Sequence, residues 1–165
     1  MNGDGTPDND QPHVSSVVSS LTDESVVLEL DDGCEIQSLA VVSEVSQDVQ
    51  DAAYAYDNGL VNFTADCGVA GYEATVKIYH YGVVDDDFTV RKHNPATNAY
   101  FTIDGAVTGV QTVNDEGVFV TTYTIVDGGD LDVDGEENGV MVDPVGLANL
   151  VTGVPNTGFG GGALR

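Results

Sequence analysis

Along the middle of the chain, apolar and polar residues alternate with a period of two. Val26, Leu28 and Leu30 alternate with Val27 and Glu29, and the runs 36–42 and 60–65 repeat the theme. In EATVKIYHY, residues 73–81, Val76, Ile78 and His80 fall on one face and Lys77, Tyr79 and Tyr81 on the other. In 118–126, Phe119, Thr121, Tyr123 and Ile125 oppose Val118, Val120, Thr122 and Thr124. A strand places successive side chains on opposite faces, so this period predicts half-buried strands. The punctuators DDG, DNG, NP, DG and NDEG separate the runs and supply the positive-φ residues that tight turns need. The pattern predicts an all-β chain, a β-sandwich of eight or nine mostly antiparallel strands. A helix is plausible only over 43–53, SEVSQDVQDAA, which reads equally as an acidic loop. After Asp143-Pro144 the chain is poor in charge and rich in glycine, and 145–165 read as linker. The division this gives is an acidic leader, 1–12, a module, 13–148, and a Gly-rich tail, 149–165.

The 165 residues carry 28 acids against four basic residues, Lys77, Arg91, Lys92 and Arg165, for a formal charge of −24. Such a surface repels nucleic acid and anionic membranes and attracts divalent cations. Calcium-rich surroundings and adaptation to high salt both account for it. Hydrophobic content of 41 % supports a folded body. No apolar run approaches the length of a membrane span, and the N-terminus lacks the basic and apolar regions of a signal peptide, so an exported form needs a signal elsewhere. Cys34 and Cys67 lack C-x-x-C spacing. As a disulfide they imply an oxidising compartment and a cross-link worth about 3–4 kcal/mol; two separate buried thiols are the alternative.

The acids are not evenly spread. In DGGDLDVDGEENGVMVD, residues 127–143, Asp130, Asp132 and Asp134 occupy alternate positions and are followed by Gly135 and, three residues later, Asn138. This is the front half of a D-x-D-x-D-G calcium loop, in which carboxylates converge, the glycine makes the turn and Glu136 offers its main-chain carbonyl. Position 12 is Met141, which leaves Asp127, Glu137 or Asp143 to close the shell; a solvated acidic turn is the alternative. A fainter copy lies in the leader, where Asn2, Asp4, Asp8 and Gln11 fall at positions 3, 5, 9 and 12.

Catalytic motifs are missing. The histidines, His13, His80 and His93, have no metal-ligand spacing, and there is no G-x-S-x-G, P-loop or dinucleotide fingerprint. The reading is a non-enzyme. Tyr72, Tyr79, Tyr81, Tyr100 and Phe101 form either an aromatic platform for sugars or cross-strand pairs that set register. The Arg91-Lys92 pair is expected to meet nearby aspartates.

Three pieces in order resemble the choice-of-anchor U domain of bacterial surface proteins. They are the leader DGTPDNDQPHV, the pair GLVNFTADCGVAGYEATVKIYHYG and VRKHNPATNAYFTIDGA, and the closing YTIVDGGDLDVDGEENGVMVDPVGLA. The leader also resembles a thrombospondin type 3 calcium repeat. The resemblance covers most of 2–148 and implies a secreted, all-β module near the C-terminus of a cell-surface protein. Val154-Pro155-Asn156-Thr157-Gly158 resembles the L-P-x-T-G signal of sortase transpeptidases, with Val154 in place of Leu. This implies a sortase-like partner, attachment to the cell wall or envelope and upstream domains of the same polypeptide. The expected function is a calcium-stabilised spacer, with a carbohydrate- or adhesin-type binding module, or the accessory domain of a secreted enzyme, as alternatives.

Overall fold

A computed structural model describes residues 2–151. The motif at Val154–Gly158 lies outside them. Eleven strands follow in chain order: β1 (Val14–Val18), β2 (Ser25–Glu29), β3 (Glu35–Val42), β4 (Tyr54–Ala55), β5 (Leu60–Asp66), β6 (Glu73–His80), β7 (Thr89–Asn94), β8 (Ala99–Thr102), β9 (Val107–Val113), β10 (Glu116–Val126) and β11 (Val140–Leu150). They form two antiparallel sheets packed face to face, one ordered β1-β2-β6-β10-β9 and the other β3-β5-β11-β7-β8, with the short β4 added to β11. The all-β sandwich is as expected.

The period-two faces read from the sequence are the faces of the sandwich. Val26, Leu28, Val76, Ile78, Phe119, Tyr123 and Ile125 line the inner face of the first sheet, packed with Phe63, Val90, Met141, Val145 and Leu147 of the second. His80 lies on that same inward face, buried, with its Nε2 3.2 Å from Thr121 Oγ1. The opposite face of the first sheet is apolar too: Val14, Val27, Tyr79, Val113, Val118 and Val120 form a second cluster. The leader lies against it. Gly3 sits so close to Val113 that a Cβ there would come within 2.6 Å of Val113 Cγ1, and Asn2 is buried and hydrogen-bonded to Glu29.

Of the two readings open for 43–53 the fold has the loop, and one other stretch, 145–150, differs from expectation. Segment 43–53 holds one 3-10 turn, Glu44–Ser46, and otherwise bends. Asp51 accepts from two groups outside the segment, Arg91 Nε at 2.7 Å and Tyr56 Oη at 2.6 Å, while Glu44 accepts the Asp51 N–H within it at 2.7 Å. A helix would pull these groups off the sheet. Residues 145–150 are not linker but the second half of β11, a central strand paired to β5 and to β7. Val145, Leu147 and Ala148 are buried. A strand covered on both faces carries no alternation, so its low charge resembles that of a linker. Pro144 pairs only with β5, because the β7 ladder begins at Val145. Gly146 is needed for close approach: a Cβ there would lie 2.7 Å from Tyr56 Cδ2, 2.9 Å from Leu60 Cδ2 and 3.0 Å from the Gly59 carbonyl oxygen.

Candidate metal site at the acidic end of the sandwich

Three connections that cross between the sheets, β2–β3, β5–β6 and β10–β11, are tied together at one end of the molecule. Cys34 and Cys67 are joined in a disulfide, with Cα atoms 4.0 Å apart, one residue beyond the Glu35–Asp66 pair of the β3–β5 ladder. The Cys67 N–H donates to the Gly139 carbonyl at 2.7 Å, and the Asp127 N–H donates to the Tyr72 carbonyl at 2.9 Å. Asp31 of the β2–β3 turn accepts the Thr75 N–H at 3.2 Å.

The loop read as a calcium motif, 127–139, is the β10–β11 connection, and two of its acids turn inward. Asp127 is 1 % exposed. Its Oδ2 accepts the N–H groups of Gly71 and Gly139, each at 2.8 Å, and so clamps the β5–β6 connection to the end of the loop. Asp132 is 3 % exposed. Its Oδ2 accepts from Gly128 N–H and its Oδ1 from Val142 N–H, both at 3.0 Å. The Asp127 Oδ1 is buried with no hydrogen-bond partner.

The two carboxyls act on one another. Burial raises the Asp127 carboxyl, but the N–H groups of Gly139, Gly71 and Asn138 and the Asp132 side chain outweigh it and hold it below the usual carboxylate range. The Asp132 carboxyl is pushed up, first by burial and then by the charges of Asp134 and Asp127, against the lowering effect of its two N–H donors. A buried carboxylate pair of this kind takes up either a proton or a cation.

The other motif residues lie elsewhere. Asp130, Asp134, Glu136 and Asn138 are exposed. Asp134 is occupied locally, accepting the Glu136 N–H at 2.9 Å and Asn138 Nδ2 at 3.2 Å. Asp143 is turned into the core, where its carboxylate contacts Lys92 Nζ and the Tyr123 hydroxyl, so it is not free to close a calcium shell. Among the described residues no group of three or more His, Cys, Asp and Glu side chains converges on one point. Of the motif's acids, the fold buries Asp127 and Asp132 together with one unpartnered oxygen, a narrower set than the spacing implied.

The leader gathers more of its expected ligands. Gln11 Nε2 donates to Asp4 Oδ2 at 2.6 Å, Asn2 Nδ2 donates to the same oxygen at 3.2 Å, and Gln11 Oε1 is buried without a partner. Asp8 lies in the adjoining 3-10 turn, Asp8–Asp10.

The other candidates are spent on packing. The five rings of the supposed platform are divided: Tyr79 is buried on the outer side of the first sheet, while Tyr100 and Phe101 belong to β8 of the second. Tyr100 stacks on the buried His93 with ring centroids 4.5 Å apart, and its hydroxyl donates to the Val49 carbonyl at 2.6 Å. Arg91 meets Asp51 and lies 4.1 Å above the Tyr54 ring, and Lys92 meets Asp143, as the basic pair was expected to do. The buried Lys92–Asp143–Tyr123 group left no signature in the sequence beyond one inward-facing lysine on a β-branched strand. No helix among the described residues is long and apolar enough to cross a membrane. Comparison of the chain with protein-family models, with curated proteins and with solved structures finds no match.

Proposed function

We propose that the protein is a non-catalytic, calcium-stabilised spacer module of a secreted bacterial surface protein. The observation that carries this reading is the buried Asp127–Asp132 pair with an unpartnered oxygen, set where three sheet-crossing connections meet. Asp127 and Asp132 would hold the ion there, and the weaker second position is Asn2, Asp4, Asp8 and Gln11. The bound cation supplies charge neutralisation, which favours the folded state because the unfolded chain offers no such pair. The Cys34–Cys67 bridge supports an oxidising setting outside the cytoplasm. The VPNTG stretch, three residues past Val151, supports covalent attachment to the envelope by a sortase-like transpeptidase, with upstream domains borne by the same polypeptide.

Thermal unfolding in EDTA and in millimolar calcium, at fixed ionic strength, tests the calcium reading. Calcium is expected to raise the midpoint by many degrees and magnesium is not, since magnesium demands a tighter octahedral shell. Asp127→Asn and Asp132→Asn should each remove most of the shift, and Asp130→Asn should leave it. No shift in the parent protein would sink the calcium reading.

A further inference from the structure

At the centre of the sandwich, Lys92 and Asp143 stand on neighbouring strands of one sheet and point into the core together. Lys92 is opposite Val145 in the β7–β11 ladder, and Asp143 lies two residues earlier on β11, on the same face as Val145. Lys92 Nζ contacts Asp143 Oδ1, and the Tyr123 hydroxyl reaches across from the other sheet to donate to Asp143 Oδ2. The side chains of Lys92 and Asp143 are 1 % and 0 % exposed. A buried ion pair is a poor source of stability, since desolvating the two charges offsets most of their attraction. A lysine amine held against a carboxyl with water excluded is also the reactant pair of an amide condensation. We propose that Lys92 and Asp143 form an intramolecular isopeptide bond, Nζ to Cγ, with Tyr123 as the catalytic hydrogen-bond donor.

The step balances within the group. Transfer of one proton from the Lys92 ammonium to the Asp143 carboxylate gives a neutral amine and a carboxylic acid. Burial favours these forms, pushing the Lys92 ammonium down and the Asp143 carboxyl up. The Nζ lone pair attacks Cγ, and the developing oxyanion on Oδ2 is held by the Tyr123 hydroxyl, which burial and the Asp143 charge keep protonated. The Cγ–Oδ1 bond breaks and Oδ1 leaves as water. The three ammonium hydrogens end as one on the amide and two on that water, so no outside reagent is needed. Fixing the two groups in contact supplies an effective concentration of roughly 10⁵–10⁸ M over a bimolecular encounter. The product removes two buried charges. It also fastens β11 to β7 covalently, as the disulfide fastens β3 to β5.

The test is the mass of the full chain after reduction and denaturation. The expected value is lighter than the sequence by one water. Trypsin should fail to cut after the acylated Lys92, giving the fragment 92–165 one water light, with fragmentation placing the link between Lys92 and Asp143. Lys92→Met and Asp143→Val should restore the full sequence mass. Tyr123→Phe should leave a measurable unreacted fraction. The unmodified wild-type mass, with normal cleavage after Lys92, would overturn the proposal whether or not the variants fold. So would a water loss mapped to an Asp-Gly succinimide elsewhere in the chain.

Discussion

Single residues here are set by what surrounds them rather than by their type. His80 shows this most simply. Its alternation places it inward, and burial lowers its imidazole from 6.5 to about 4. The folded state therefore favours neutral His80. The contribution to stability is present above 6.5 and is lost as pH falls through about 4, a total of about 3 kcal/mol. His80→Gln, which retains a partner for Thr121, should flatten the acid side of the stability curve by that amount, as measured by urea unfolding between these two pH values. Asp132 works in the opposite sense. Its folded carboxyl is raised, so the metal-free protein should lose stability as pH rises through that group's titration, and cation binding should offset the loss. A calcium-induced shift that grows with pH across that range is the expected outcome, and one that is flat with pH would count against Asp132 as a ligand.

At the scale of elements, the sheet edges are held by devices the strands themselves do not supply. β3 is an edge strand of its sheet, and the Cys34–Cys67 bridge fixes it to β5. Replacing both cysteines by alanine should cost about 3 kcal/mol in denaturant unfolding. β11 runs through the centre of the sheet and passes Tyr56 and Leu60 at Gly146 with no room for a side chain. Gly146→Ala should cost about 1–3 kcal/mol by overpacking, whereas Gly105→Ser, where nothing lies within 4 Å, adds only local backbone strain. The leader acts as a cover for the outer face of the first sheet. Without residues 2–11, Val113 loses that cover, and dye binding to exposed apolar surface should rise while the melting temperature falls.

Across the whole molecule, a charge of −24 is self-repelling and screened by salt. Raising sodium chloride should therefore raise the melting temperature smoothly, with potassium acting alike. Calcium should add a saturable increment at fixed ionic strength. If sodium alone reproduced the full calcium effect, the acidity would serve salt tolerance rather than a bound ion.

How much of this was readable beforehand depends on the range of the interactions. Alternation is local, so the inner faces of β2, β6 and β10 and the sandwich itself were legible from Val26, Val76 and Phe119 onward. The disulfide was legible as one of two options, because whether Cys34 and Cys67 meet depends on the pairing of β3 with β5, a contact between residues 33 positions apart. The chain could not disclose that 145–150 form a central strand, since burial on both sides erases the period. Nor could it divide the acids of 127–143. Asp127 and Asp132 are turned inward by N–H groups of Gly71 and Gly139 and of Gly128 and Val142, while Asp143 is claimed by Lys92, a partner 51 residues away. Strand faces, turns and the surplus of negative charge are each set within a few neighbouring residues, and so stand in the sequence directly. Which carboxylates are buried, and what each one faces, is settled by packing, because donors and counter-charges reach them from strands distant along the chain.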